Sequence, residues 1–157
     1  MDIWLKSSVL IFFLLSPFLS PAHPSHKHDS IMHLIEQAPN DSLRAVQYLE
    51  LGNLYAYSKQ DSAIHYYQQA FDYARGGGFT KLAGKCLNYI AVVYIYRSEY
   101  DTTIHYLTRS IELRKKAGDK GGMANGYNNL GVIHKNQGNF EKALEYLNKA
   151  IEKNPKD

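Results

Sequence analysis

The sequence predicts an all-α fold, a solenoid of three helix–turn–helix units stacked behind a short amino-terminal helix. Three observations carry this expectation. The strip DSAIHYYQQA (61–70) returns as DTTIHYLTRS (101–110) and EKALEYLNKA (141–150), a spacing of 40 residues. A second strip, YLELGNLYAY (48–57), returns as LNYIAVVYIY (87–96) and YNNLGVIHKN (127–136). Within the strips the apolar residues fall three, four and seven apart, as at Ile104, Leu107 and Ile111. That spacing marks one face of a helix, not the alternation of a strand.

Taken in order, residues 1–22 read as a secretory signal. Lys6 precedes the apolar run 9–15, Pro17 and Pro21 then break any helix, and Ser20, Pro21 and Ala22 form a small-residue exit. The run falls short of the roughly 20 apolar residues of a membrane span, and no Cys follows it to carry a lipid. Export to the periplasm or the exterior is expected, with the mature chain starting near His23. Membrane contact would be limited to the signal, or to an uncleaved amino-terminal anchor. Residues 23–29 read as a flexible, His-rich linker. Its His23, His26 and His28 are weak candidates for binding Zn²⁺, Cu²⁺ or Ni²⁺, and a solvated linker is the plainer expectation. Residues 30–38 read as a capping helix, with Ser30 as its amino-terminal cap and Pro39 beyond its end.

The three units are placed at 42–76, 80–118 and 120–155. Asn40-Asp41-Ser42 is read as a turn and helix cap before Leu43. Each first helix carries a large apolar residue followed by a small one: Leu51-Gly52, Ile90-Ala91 and Leu130-Gly131. Two helices approach closely only where a side chain is nearly absent, and Ala63 and Ala143 supply the matching hollow on the second helix. Gly138 suits a left-handed turn, and Gly76 and Gly118 are expected to end second helices. Neither helix of a unit can hide its apolar stripe alone. Stacking buries a continuous seam, each large side chain contributing roughly 1.5–3 kcal/mol. The far face of the last unit lacks such a neighbour, which raises self-association through that unit as an expectation.

The pattern resembles the tetratricopeptide repeat, a helix–turn–helix family with a 34-residue period. The third unit carries the resemblance best. Tyr127, Leu130, Gly131, Gly138, Phe140, Ala143, Ala150 and Pro155 stand where that family places aromatic, Leu, Gly, Gly, aromatic, Ala, Ala and Pro. His134 departs from it, in a slot usually given to Tyr, and Thr103 and Ser110 replace alanines in the second unit. The first unit is one residue short in its turn. The 40-residue spacing is attributed to KKAGDKGG (115–122) lengthening the link between units, as in exported bacterial sensor and scaffold proteins.

The resemblance implies a right-handed solenoid whose first helices line a concave groove for a peptide or partner helix. Carried over by position, the groove would present Leu49, Asn53, Ala56 and Tyr57, then Asn88, Val92, Ile95 and Tyr96, then Asn128, Val132, Lys135 and Asn136. The family branch that grips chaperone tails needs Lys or Arg at the slots of Leu49, Asn88 and Asn128, so that ligand class is not expected.

A formal charge of +3 without any block of Lys and Arg leaves no nucleic-acid footprint. A single cysteine, Cys86, rules out an intrachain disulfide or a cysteine-based zinc site. GGGFTK (76–81) lacks the spacing of a phosphate-binding loop, and no reactive groups converge in sequence. A non-catalytic protein-binding scaffold without cofactors is the leading expectation. It would be exported and form the sensing portion of a larger signalling protein; metal handling by the amino-terminal histidines and assembly through the last unit are the alternatives.

Overall fold

The computed structural model of the chain describes residues 24–154. The expected signal at 1–22, His23 and Pro155 lie outside the described residues. The described residues form seven helices: α1 (Pro24–Glu36), α2 (Asp41–Tyr55), α3 (Gln60–Gly76), α4 (Thr80–Tyr96), α5 (Tyr100–Lys116), α6 (Lys120–Asn136) and α7 (Phe140–Lys153). Each packs on its neighbour in the chain, so α2–α3, α4–α5 and α6–α7 are three stacked hairpins covered at one end by α1. The all-α repeat solenoid expected from the period is the fold.

The 40-residue period has a different origin from the one expected. Helices α3, α4, α5 and α6 are 17 residues each. The links 77–79, 97–99, 117–119 and 137–139 are all equally short. KKAGDKGG is therefore no lengthened link: Lys115 and Lys116 finish α5, and Lys120, Gly121 and Gly122 form the first turn of α6. The extra residues lengthen the helices.

The short links share one turn chemistry. Gly78, Ser98, Gly118 and Gly138 adopt positive φ, at 75°, 58°, 66° and 76°. At each, the next residue's N–H reaches five residues back, as Asp119 N to Arg114 O at 2.8 Å and Asn139 N to His134 O at 2.8 Å. This closes the helix end and starts the next helix at once. Gly78, not Gly76, is the left-handed residue after α3. The α2–α3 link, 56–59, is not the shorter one expected, since it is α2 that is short at 15 residues; it has no such residue, and Ser58 N and Lys59 N both donate to Tyr55 O instead.

The core runs through the seams. Ala45, Leu49, Ala63, Tyr67, Phe71, Leu87 and Ile90 belong to one cluster across α2, α3 and α4. Ala91, Leu107, Ile111, Met123, Leu130 and Ile133 form the next, across α4, α5 and α6. The small residues sit as the close approach requires. A Cβ on Gly52 would strike the Tyr67 ring, and one on Gly131 would lie 2.9 Å from Leu147 Cγ. The two hydroxyls that replace alanines in α5 are buried and satisfied: Thr103 Oγ1 donates to Glu99 O at 2.9 Å and Ser110 Oγ to Gly84 O at 2.6 Å.

The amino-terminal element begins earlier than expected. Residues 24–29 are helical, so no flexible linker occupies them, and Ser30 lies inside α1 instead of capping it. Pro24 opens the helix, where its missing N–H is not needed. The cause is a longer stripe: Ile31 and Ile35 pack on Leu51, and His28, one turn upstream, joins Tyr55 and Tyr66. Its ring lies 5.9 and 6.1 Å from theirs, and its Nδ1 is hydrogen-bonded to the Tyr55 hydroxyl at 3.0 Å. Asn40 caps α2 as expected, its Oδ1 accepting from Leu43 N at 2.9 Å.

Candidate peptide-binding groove

One face of each first helix contributes to a cavity of about 930 Å³ that spans α2, α4 and α6. Its lining follows the repeat. Ser42, Lys81 and Gly121 occupy one recurring position, and Val46, Lys85 and Asn125 occupy another. Asn88, Phe79, Leu82 and Tyr89 complete the wall. Because Ser42, Lys81 and Gly121 are each second in their helix, all three first helices open onto the cavity with their amino-terminal ends.

Arg114, from the end of α5, forms the floor. Its stem is threaded between two glycines: a Cβ on Gly84 would meet Arg114 Cγ at 2.8 Å, and one on Gly122 would meet Arg114 Cδ at 2.7 Å. Arg114 as a whole is only 5% exposed. Its ion-pair partner among the described residues is Asp119, Nη1 to Oδ2 at 3.8 Å, and its Nε is buried without a partner. Burial pushes the Arg114 pKa down, against the opposing pull of Asp119. Asp119 also caps α6, accepting from Gly122 N at 3.1 Å, and lies 3.6 Å from Lys81 Nζ.

The residues expected to line the groove divide into three groups. Asn88 lines the cavity, where its Oδ1 accepts from Asn129 Nδ2 at 3.2 Å. Tyr57 and Tyr96 pair at the other end of the first helices, exposed, with ring centroids 5.8 Å apart. The neighbouring Tyr57 hydroxyl raises the Tyr96 pKa. Asn128, Val132, Lys135 and Asn136 stay exposed on α6, and Val92 is half-buried. The others serve the fold. Leu49 is core, Ala56 and Ile95 pack against the core clusters, and Asn53 Oδ1 accepts from the buried Tyr67 hydroxyl at 2.9 Å. Val46, Lys85 and Asn125 were missed. They stand one helical turn before Leu49, Asn88 and Asn128, so the periodicity that found those three also contained them.

Of the histidine candidates, the two that are described do not converge. His26 and His28 point roughly 200° apart around α1, and His28 is held by Tyr55. Among the described residues no three His, Cys, Asp or Glu side chains gather into a metal position, and no helix is long and apolar enough to cross a membrane. Cys86 is buried, which pushes its thiol up to about 12.

The tetratricopeptide-repeat profile matches residues 124–157, beginning in the first helix of the last hairpin and running through its second. Residues 124–157 thus carry a tetratricopeptide repeat. The crystal structure of BtubC (BKLC) from P. vanneervenii superposes on it with a TM-score of 0.69 at 18% identity, covering 83% of this chain and 54% of that one. The present chain thus spans about half the length of that protein, and the likeness is one of fold. Among curated proteins, none matches. Tetratricopeptide repeats generally bind protein partners and are typically non-catalytic, which suggests a protein-interaction scaffold.

Proposed function

We propose that the chain is an exported scaffold that holds an extended peptide or partner segment in the cavity along α2, α4 and α6. The observation that carries this is the alignment of two repeated positions from three hairpins around one cavity of about 930 Å³, a size suited to a ligand. Val46, Phe79, Leu82 and Tyr89 offer apolar contact, and Asn88 and Asn125 offer amides that bond to a peptide backbone. Export rests on the character of residues 1–22, and a sensing role within a larger signalling protein follows from pairing export with ligand capture. A photo-crosslinking residue at Asn125, tested in an exported-protein extract, is expected to capture a partner that the same probe at His105 on α5 does not. Equal labelling at both positions would move the binding surface off the cavity. Sequencing of the secreted protein should find His23 at its amino terminus; an intact Met1 would remove the cleaved signal.

A second reading has its own observation. Phe140, Leu144 and Ile151 are exposed on α7, an apolar stripe that suits assembly through the last hairpin. Leu144→Lys with Ile151→Lys is expected to abolish concentration-dependent sedimentation; a wild-type chain that stays monomeric throughout would dismiss this reading.

A further inference from the structure

The charge around the cavity is uneven. Lys81, Lys85 and Arg114 line it against one carboxylate, Asp119. These charges fall into two groups. Asp119 lies between Lys81 and Arg114, at 3.6 and 3.8 Å, and that trio keeps one net positive charge. Lys85, one turn further along α4, stands apart with its ammonium 5.7 Å from the Tyr89 ring centroid. The amino-terminal ends of α2, α4 and α6 add their positive dipole ends to the same wall. Arg114 is the independent sign that a ligand belongs here. The protein gives up side chains at Gly84 and Gly122 to hold Arg114 at the cavity floor, the residue as a whole 95% buried, with Nε unpartnered and only a long ionic contact to Asp119. A buried charge with only a distant partner is costly, and a ligand carboxylate in the cavity supplies a countercharge.

We propose that the cavity takes an acidic peptide segment, whose carboxylates are met by Lys81, Lys85 and Arg114 at the amino-terminal ends of the three first helices. Two positive points a helical turn apart suit several side-chain carboxylates, not one chain terminus. This rests on the groove reading above and specifies its ligand. The slots that the chaperone-tail branch fills with cations hold Leu49, Asn88 and Asn128 here, so the recognition uses different positions.

The test is fluorescence anisotropy on the purified chain with short fluorescein-labelled peptides. One alternates Glu with Ala and is amidated, its twin carries Gln for Glu and is amidated, and a third is the Gln peptide with a free carboxyl terminus. The Glu peptide is expected to bind about tenfold tighter than the amidated Gln peptide, and to lose that margin between about 50 and 300 mM salt. Lys81→Glu with Lys85→Glu, both exposed and tolerable to the fold, should erase the preference. Equal binding of Glu and amidated Gln peptides overturns the proposal and leaves the groove reading intact. Preference for the free carboxyl terminus, or displacement of the Glu peptide by millimolar inorganic phosphate, marks a single-anion site and also overturns it. If no peptide binds, the acidic-peptide proposal is overturned, and crosslinking at Asn125 decides whether the groove reading falls with it.

Discussion

Phe71, Ile111 and Ile151 occupy one slot on the second helices of the three hairpins, yet their surroundings differ. Phe71 is 5% exposed and Ile111 is 8% exposed, whereas Ile151 is 64% exposed. The difference lies in the next helix. Phe71 is covered by α4, Ile111 sits on Gly126 of α6, and no helix among the described residues follows α7. A slot in a repeat protein is therefore core or surface according to its neighbour, not its residue type. Truncation tests this directly. Ile111→Ala is expected to cost about 2–5 kcal/mol, and Ile151→Ala no more than about 0.5 kcal/mol, both read from urea unfolding midpoints. Similar losses at the two sites would mean that Ile151 is covered in solution.

The uncovered side should also show in how the hairpins tolerate crowding. Gly131→Leu pushes against Leu147, which is half-buried and can yield toward the open face of α7. A cost of roughly 1–3 kcal/mol is expected. Gly52→Leu pushes against Tyr67, fully buried and backed by the Tyr89 ring at 5.3 Å. It should therefore cost more than Gly131→Leu by the same denaturant assay. The reverse order would show that α7 is held as firmly as α3.

The contrast between covered and open seams also explains what could be read without coordinates. The hairpins, their small-residue contacts and the bare face of α7 were legible because each is a recurring slot, and recurrence survives without tertiary information. Three features were not. Gly121 and Gly122 look like linker, and only the path of Arg114 from the preceding helix explains why Gly122 lacks a side chain. Residues 24–29 look like a polar tail because His28 finds its aromatic partners on α2 and α3, 27 residues or more away. The cavity opens one turn nearer the helix starts than the slots carried over from the resemblance, since which strip of a helix faces the cavity depends on how hairpins stack, which periodicity within a helix does not contain.

A smaller effect separates the third hairpin from the first two. Tyr55 stacks on Tyr66 and Tyr94 on Tyr106, with ring centroids 5.7 and 5.6 Å apart. The third unit keeps the pair but puts His134 on Tyr146, 5.3 Å apart and within 3° of parallel. His134 is 6% exposed and its Nδ1 lacks a partner. Burial, then the nearby Lys142, hold its pKa below the ordinary 6.5. The folded chain thus keeps the imidazole neutral, while the unfolded chain takes up a proton as the pH falls through 6.5. The unfolded state then binds more protons, so this stability is complete above that pH and drains away below it. The urea midpoint should fall between pH 7.5 and 5.5, and His134→Tyr, which restores the residue type of the other two hairpins, should flatten that fall. An equal decline in the variant would place the acid sensitivity elsewhere and make the third aromatic pair equivalent to the first two.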